Sequence, residues 1–140
     1  MSIYGATKGT ELEEQVRSAA RAEANGTMSY HALARLAKEQ GLDDVADAFV
    51  GIADQEAVHT GLYAVLNGQY PQDFWELARA MQKAEADAED EIMELAAKVR
   101  ALGCDDAADE IEAFAAQEKG HGVILEGLLR KHAPGGGADL

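Results

Sequence analysis

The sequence predicts an all-α protein, a four-helix bundle built from two duplicated helical hairpins, and three observations carry that expectation. Only two prolines and 6% aromatic residues occur in a chain of 140 dominated by Ala, Glu, Leu and Asp, a balance that favours helix over sheet. Apolar residues recur at alternating steps of three and four in four long segments, the period of one helical face. The chain also repeats itself: "AKEQGLDDVADAFVGIADQEAVH" aligns with "AKVRALGCDDAADEIEAFAAQEKGH" about a glycine, and 103 − 41, 118 − 56 and 121 − 59 all give an offset of 62.

Each helix can be justified in turn. The first carries Leu12, Val16, Ala19, Glu23, Gly26, Tyr30, Leu33 and Ala37 on one stripe, and the second carries Val45, Phe49, Ile52, Glu56, His59, Tyr63 and Leu66. Gly41 marks the turn between them. Asp73, with Glu76 three residues later and Pro71 just before, has the form of a capping box that starts the third helix. That helix continues through Ala78, Met81, Glu85, Ala88, Ile92, Leu95 and Val99 to a stop at Gly103, and the fourth shows Ile111, Phe114, Glu118, His121, Leu125 and Leu128. The hairpins span about 9–67 and 73–131 of a single domain, and residues 133–140, "APGGGADL", form a glycine-rich, frayed tail.

Composition narrows the function. A formal net charge of −14 argues against nucleic-acid and anionic-membrane partners, which require a basic face. The single cysteine, Cys104, excludes an internal disulfide and any paired-thiolate metal site. No apolar run approaches a membrane span, and the opening residues lack the core of a signal peptide. These features place the chain in the cytoplasm.

Every stripe is interrupted near its middle by a carboxylate: Glu23, Glu56, Glu85 and Glu118, the second and fourth followed three residues later by His59 and His121. A lone Glu-x-x-His is common in an acidic helical chain. Its duplication, with one more glutamate in each remaining helix, sets four carboxylates and two imidazoles at one level. Burying them uncompensated costs several kcal/mol per group, and Arg21, Lys83 and Lys119 lie off the stripes. Two divalent ions balance the charge, and a mixed carboxylate and imidazole shell suits iron best, with manganese or zinc as alternatives. Tyr30, seven residues after Glu23, stands as a candidate donor to a ligand. Gly26 and Ala88 leave room beside the site for a small oxidant.

These residues, with "AEANGTMSY", "DQEAVH", "AQEKGH" and the upstream "ATKGTELEEQ", resemble the rubrerythrins of the ferritin-like di-iron carboxylate superfamily from about Lys8 to Leu129. The resemblance implies a ferritin-like four-helix bundle with Glu23, Glu56, His59, Glu85, Glu118 and His121 as ligands, Glu56 and Glu118 bridging. It implies peroxide or dioxygen reduction with electrons from a separate protein such as a rubredoxin, since no rubredoxin segment is present; ferritin-like iron storage is the alternative. The extra carboxylate that rubrerythrins carry one turn from the third-helix ligand is missing from the stripe, where Gln82 and Ala88 stand. In the ferritin-like bundle the second and third helices run parallel, and the short "GQYPQ" link is too short for that crossover. A homodimer with swapped hairpins is therefore expected.

Overall fold

A computed structural model describes residues 2–135. It contains four helices, α1 (Glu13–Glu39), α2 (Asp43–Leu66), α3 (Phe74–Ala101) and α4 (Asp105–His132), and among the described residues no strand. The all-α class is as expected, and helices in this number and order are those of a ferritin-like four-helix bundle. Two compact units divide the chain, Met1–Gln72 and Asp73–Leu140. The first holds the α1–α2 hairpin and the second the α3–α4 hairpin. Part of the tail expected to fray, residues 136–140, lies outside the described region.

The turns form for local reasons. Gly41 has φ 74° and Gly103 φ 82°, left-handed values that only glycine adopts freely. Around Gly41 the Leu42 N–H reaches back to the Ala37 carbonyl and the Gly41 N–H to that of Lys38, both at 3.0 Å. Cys104 and Gly103 repeat the pattern on Val99 and Arg100. This is the Schellman arrangement, which satisfies the last carbonyls of a helix as the chain reverses. At the start of α3 the Asp73 carboxylate accepts from the Trp75 N–H at 3.1 Å. Glu76 returns no bond among the described residues, so the expected capping box is half made.

The contact within each hairpin is made largely by small side chains. The helices meet along rows of small residues: Ala20, Ala34 and Ala37 of α1 against Ala46, Ala53 and Ala64 of α2, and Ala96 of α3 with Ala108, Ala115 and Leu129 of α4, all under 10% exposed. The larger stripe residues lie beside these rows and stay open, with Leu33 43%, Ile52 36%, Phe74 59%, Leu95 51% and Phe114 50% exposed. Small side chains let helix axes approach closely, and bulkier stripe residues flank the contact, with Tyr30 and Phe49 meeting across it. Each hairpin thus leaves several large apolar side chains of its stripe exposed.

The N-terminal segment is fastened to the first hairpin by a buried polar knot. The Thr7 hydroxyl contacts the Leu66 carbonyl and Asn67 Oδ1, both at 3.0 Å, and Asn67 Nδ2 donates to the Glu13 carbonyl at 3.1 Å. No described helix is long and apolar enough to cross a membrane.

Candidate metal centre

Each hairpin gathers one group of three candidate ligands. On the first, Glu23 from the middle of α1 meets Glu56 and His59, which lie one turn apart on α2 and therefore project from the same face. One donor atom from each lies within 4.8 Å of the others, and the same limit holds for Glu85 of α3 with Glu118 and His121 of α4. Imidazole Nδ1 faces the carboxylates in both: His59 Nδ1 is 3.3 Å from Glu23 Oε2, and His121 Nδ1 is 3.3 Å from Glu118 Oε2 and 3.5 Å from Glu85 Oε2. All six residues singled out in the sequence are accounted for in two groups of three. Their burial is partial, with the Glu23 and Glu85 side chains 22% and 21% exposed and the imidazoles about half exposed.

The carboxylates in each group perturb one another. Glu56 is pushed above the ordinary glutamate range by its hydrogen bond with Glu23, then by burial and by the Glu23 charge. Glu23 is drawn down by the same bond and by His59. In the second group Glu85 is raised by its bond to Glu118, and Glu118 is lowered by its bonds to Glu85 and His121. Two carboxylates this close resist ionising together, because their charges repel. A divalent cation held by both carboxylates would remove that repulsion. Two carboxylates with an imidazole form a donor set that first-row ions such as Fe(II), Mn(II) or Zn(II) accept, so the residues present fit a metal pair.

Other candidates fall differently. A Cβ built on Gly26 would sit 2.6 Å from Glu56 Oε2, so the space beside Glu23 is taken by a ligand carboxylate rather than left for an oxidant. The Tyr30 ring packs on Phe49 with centroids 6.0 Å apart, and among the described residues no hydrogen bond joins its hydroxyl to the six. Glu89, one turn beyond Glu85 and off the stripe, was missed by periodicity; its carboxylate is held by Lys119 Nζ at 2.9 Å. A cavity of about 640 Å³ in the first unit, lined by Lys8, Arg17, Arg21, Thr60, Asn67 and Tyr70 among others, contains none of the six. His31 and His132 are exposed, as is Cys104.

Paired helices that each present two glutamates and a histidine define the class of helical carboxylate metalloproteins, in which side chains on facing helices hold two ions. A family profile described as rubrerythrin matches residues 14–129, and the chain belongs to the rubrerythrin family, a di-iron family of ferritin-like fold. It is 35% identical over 128 residues to an uncharacterized protein of Methanocaldococcus jannaschii, covering 91% of each chain. It is 30% identical over 131 residues to reverse rubrerythrin-1 of Clostridium acetobutylicum, covering 91% of this chain and 72% of that one. No solved structure matches.

Proposed function

We propose that this chain is a cytoplasmic di-iron oxidoreductase that reduces hydrogen peroxide, with electrons delivered by a separate protein such as a rubredoxin. It works as a homodimer in which the first hairpin of one copy meets the second hairpin of another. The observation that carries the reading is the pair of Glu, Glu and His groups, one per hairpin, each with Nδ1 turned to its carboxylates. When bound, the metal pair supplies the two electrons that, with two protons, convert hydrogen peroxide to two waters. The chain's own part is to hold the donors. Glu23 and Glu85 are anchored mid-helix, and His59 and His121 fix one direction of approach. The carboxylate pairs concentrate negative charge where a cation would enter. Family membership and the similarity to a reverse rubrerythrin support the di-iron assignment.

The length of the link supports the dimer. In a ferritin-like bundle α2 and α3 run parallel, so from the His59 level to Leu66 and from Phe74 to Glu85 the chain would have to return about 30 Å along the axis. The Gln69 N–H is still bonded to the Ala64 carbonyl at 3.0 Å and α3 begins at Phe74. The intervening five steps reach at most about 18 Å. A second copy removes the need for the crossover and covers the open apolar stripes.

Two experiments test this. The first is anaerobic loading with Fe(II), followed by stopped-flow oxidation with peroxide and with air. Fast peroxide turnover and slow air oxidation are expected, whereas air-preferring oxidation with the product retained as mineral would replace the reading with iron storage. The second mixes a chain altered in the first hairpin (Glu56→Ala, His59→Ala) with one altered in the second (Glu118→Ala, His121→Ala). Mixed dimers with exchanged hairpins regain one intact site and therefore activity, and no recovery after refolding together would exclude the exchange.

A further inference from the structure

We propose that Gly26 is a positioning residue that makes the two ion sites of this chain unequal. Its missing side chain opens a notch in α1 that lets the Glu56 carboxylate lie against that helix, near His59 but not hydrogen-bonded to it. Ala88, the matching residue of the repeat, closes the notch in α3 and keeps Glu118 beside His121. The proposal rests on the metal-binding reading above and adds to it a difference between the sites.

Nothing in the backbone calls for glycine at position 26. It lies inside α1 and is absent from the glycines of positive φ, and glycine within a helix is less favourable than alanine. Most other helical glycines, Gly51, Gly61, Gly120 and Gly127, would meet nothing within 4 Å if given a Cβ. Gly26 would meet Glu56 Oε2 at 2.6 Å, its Cδ at 3.2 Å and its Cγ at 3.6 Å. All three atoms belong to the mobile end of one side chain, so a methyl there displaces the carboxylate and leaves the helices in place.

The second hairpin carries a methyl at the matching position. Position 88 is alanine, and there the Glu118 carboxylate stands 3.3 Å from His121 Nδ1. In the first hairpin His59 Nδ1 is 3.3 Å from Glu23 instead, and no hydrogen bond joins His59 to Glu56 among the described residues. Glu118 and His121 already stand at hydrogen-bond distance, while Glu56 has still to close on His59 as an ion binds. Preset donors bind more tightly, because no reorganisation accompanies binding. The second hairpin is the tighter site and the first the adjustable one.

The test is a Co(II) titration followed by visible absorption, with His59→Ala and His121→Ala assigning each step to a hairpin. The wild-type chain should bind two Co(II) in steps about tenfold or more apart, the scale on which groups that orient ligands act. Gly26→Ala should tighten the first-hairpin step and bring the two within a few-fold. Ala88→Gly, which inserts no atom and so cannot clash, should weaken the second-hairpin step alone. Equal steps in the wild type, or a Gly26→Ala chain whose first-hairpin step is unmoved, would overturn the proposal while leaving the metal sites standing. A folded wild-type chain that takes up no Co(II) would overturn both.

Discussion

The Thr60 hydroxyl donates to the Ala20 carbonyl across the α1–α2 contact at 2.8 Å. It does so one residue after His59 and three before Glu23, so it fixes the register in which those ligands meet. The repeat partner of Thr60 is Gly122, where a Cβ would already lie 3.4 Å from the Ala86 nitrogen. One hairpin ties its helices with a hydrogen bond, and the other brings them together by removing a side chain.

Replacing Thr60 with valine keeps the volume and deletes the bond. A loss of about 1 kcal/mol is expected, the usual net worth of one such bond, together with several-fold weaker metal binding at the first hairpin and little change at the second. Thermal melting and metal titration of the same sample check this, and melting without any change in binding would mean that the register is set elsewhere.

The opposite change at Gly122 should fail by crowding. Gly122→Leu forces α4 off Ala86, and overpacking of this kind costs about 1–3 kcal/mol. Gly51→Ala serves as its counterpart, since the new methyl meets nothing within 4 Å. That substitution should stabilise by up to about 1 kcal/mol through helix propensity alone. Denaturant unfolding of both variants distinguishes the two cases.

Ligand removal should be separable by hairpin. Glu56→Ala is expected to lose one of two ions per chain and Glu118→Ala the other, each leaving the remaining ion bound, because each hairpin supplies its own three donor atoms. The double variant should hold none. Metal analysis after desalting gives the answer, and a single substitution that empties both positions would show that the ions depend on one another.

Acidity should matter in the metal-free protein. Glu56 and Glu85 keep their protons above the ordinary value of 4.5, so the folded state binds more protons than the unfolded chain and stability falls as pH rises through that window. Glu23 and Glu118 are lowered and act in the opposite sense, losing stability only on the acid side of 4.5. In chelator the melting temperature should peak in mildly acidic solution and decline toward neutrality. Glu56→Gln with Glu85→Gln keeps a hydrogen-bond donor but no titration, and should flatten that decline. An undiminished slope would assign it to the net charge of −14.

What could be read in advance was what is written in one dimension. Six polar residues breaking an apolar stripe at a constant offset form such a pattern, and so do Gly41 and Gly103, whose left-handed turns need glycine. The row that joins two helices was not legible, because Ala20 or Ala53 reads as a good helix former wherever it points. The stripe told which face each helix turns inward, but not which of its neighbours would form the close seam. Gly26 was noticed, but a glycine looks the same whether it admits a ligand, a helix or an oxidant. The Glu89–Lys119 pair joins residues 30 apart on different helices, and nothing along the chain links them before the helices are placed.

The Schellman turns have a consequence for ancestry. Gly41 closes one hairpin and Gly103 the other by the same bonds, and either half carries its own alanine seam and its own trio of donors. A peptide of half this length, associating with its own twin, would present the same chemical set. Duplication and joining of such a gene would have freed the two halves to diverge, and the glycine at 26 opposite the alanine at 88 records one step of that divergence.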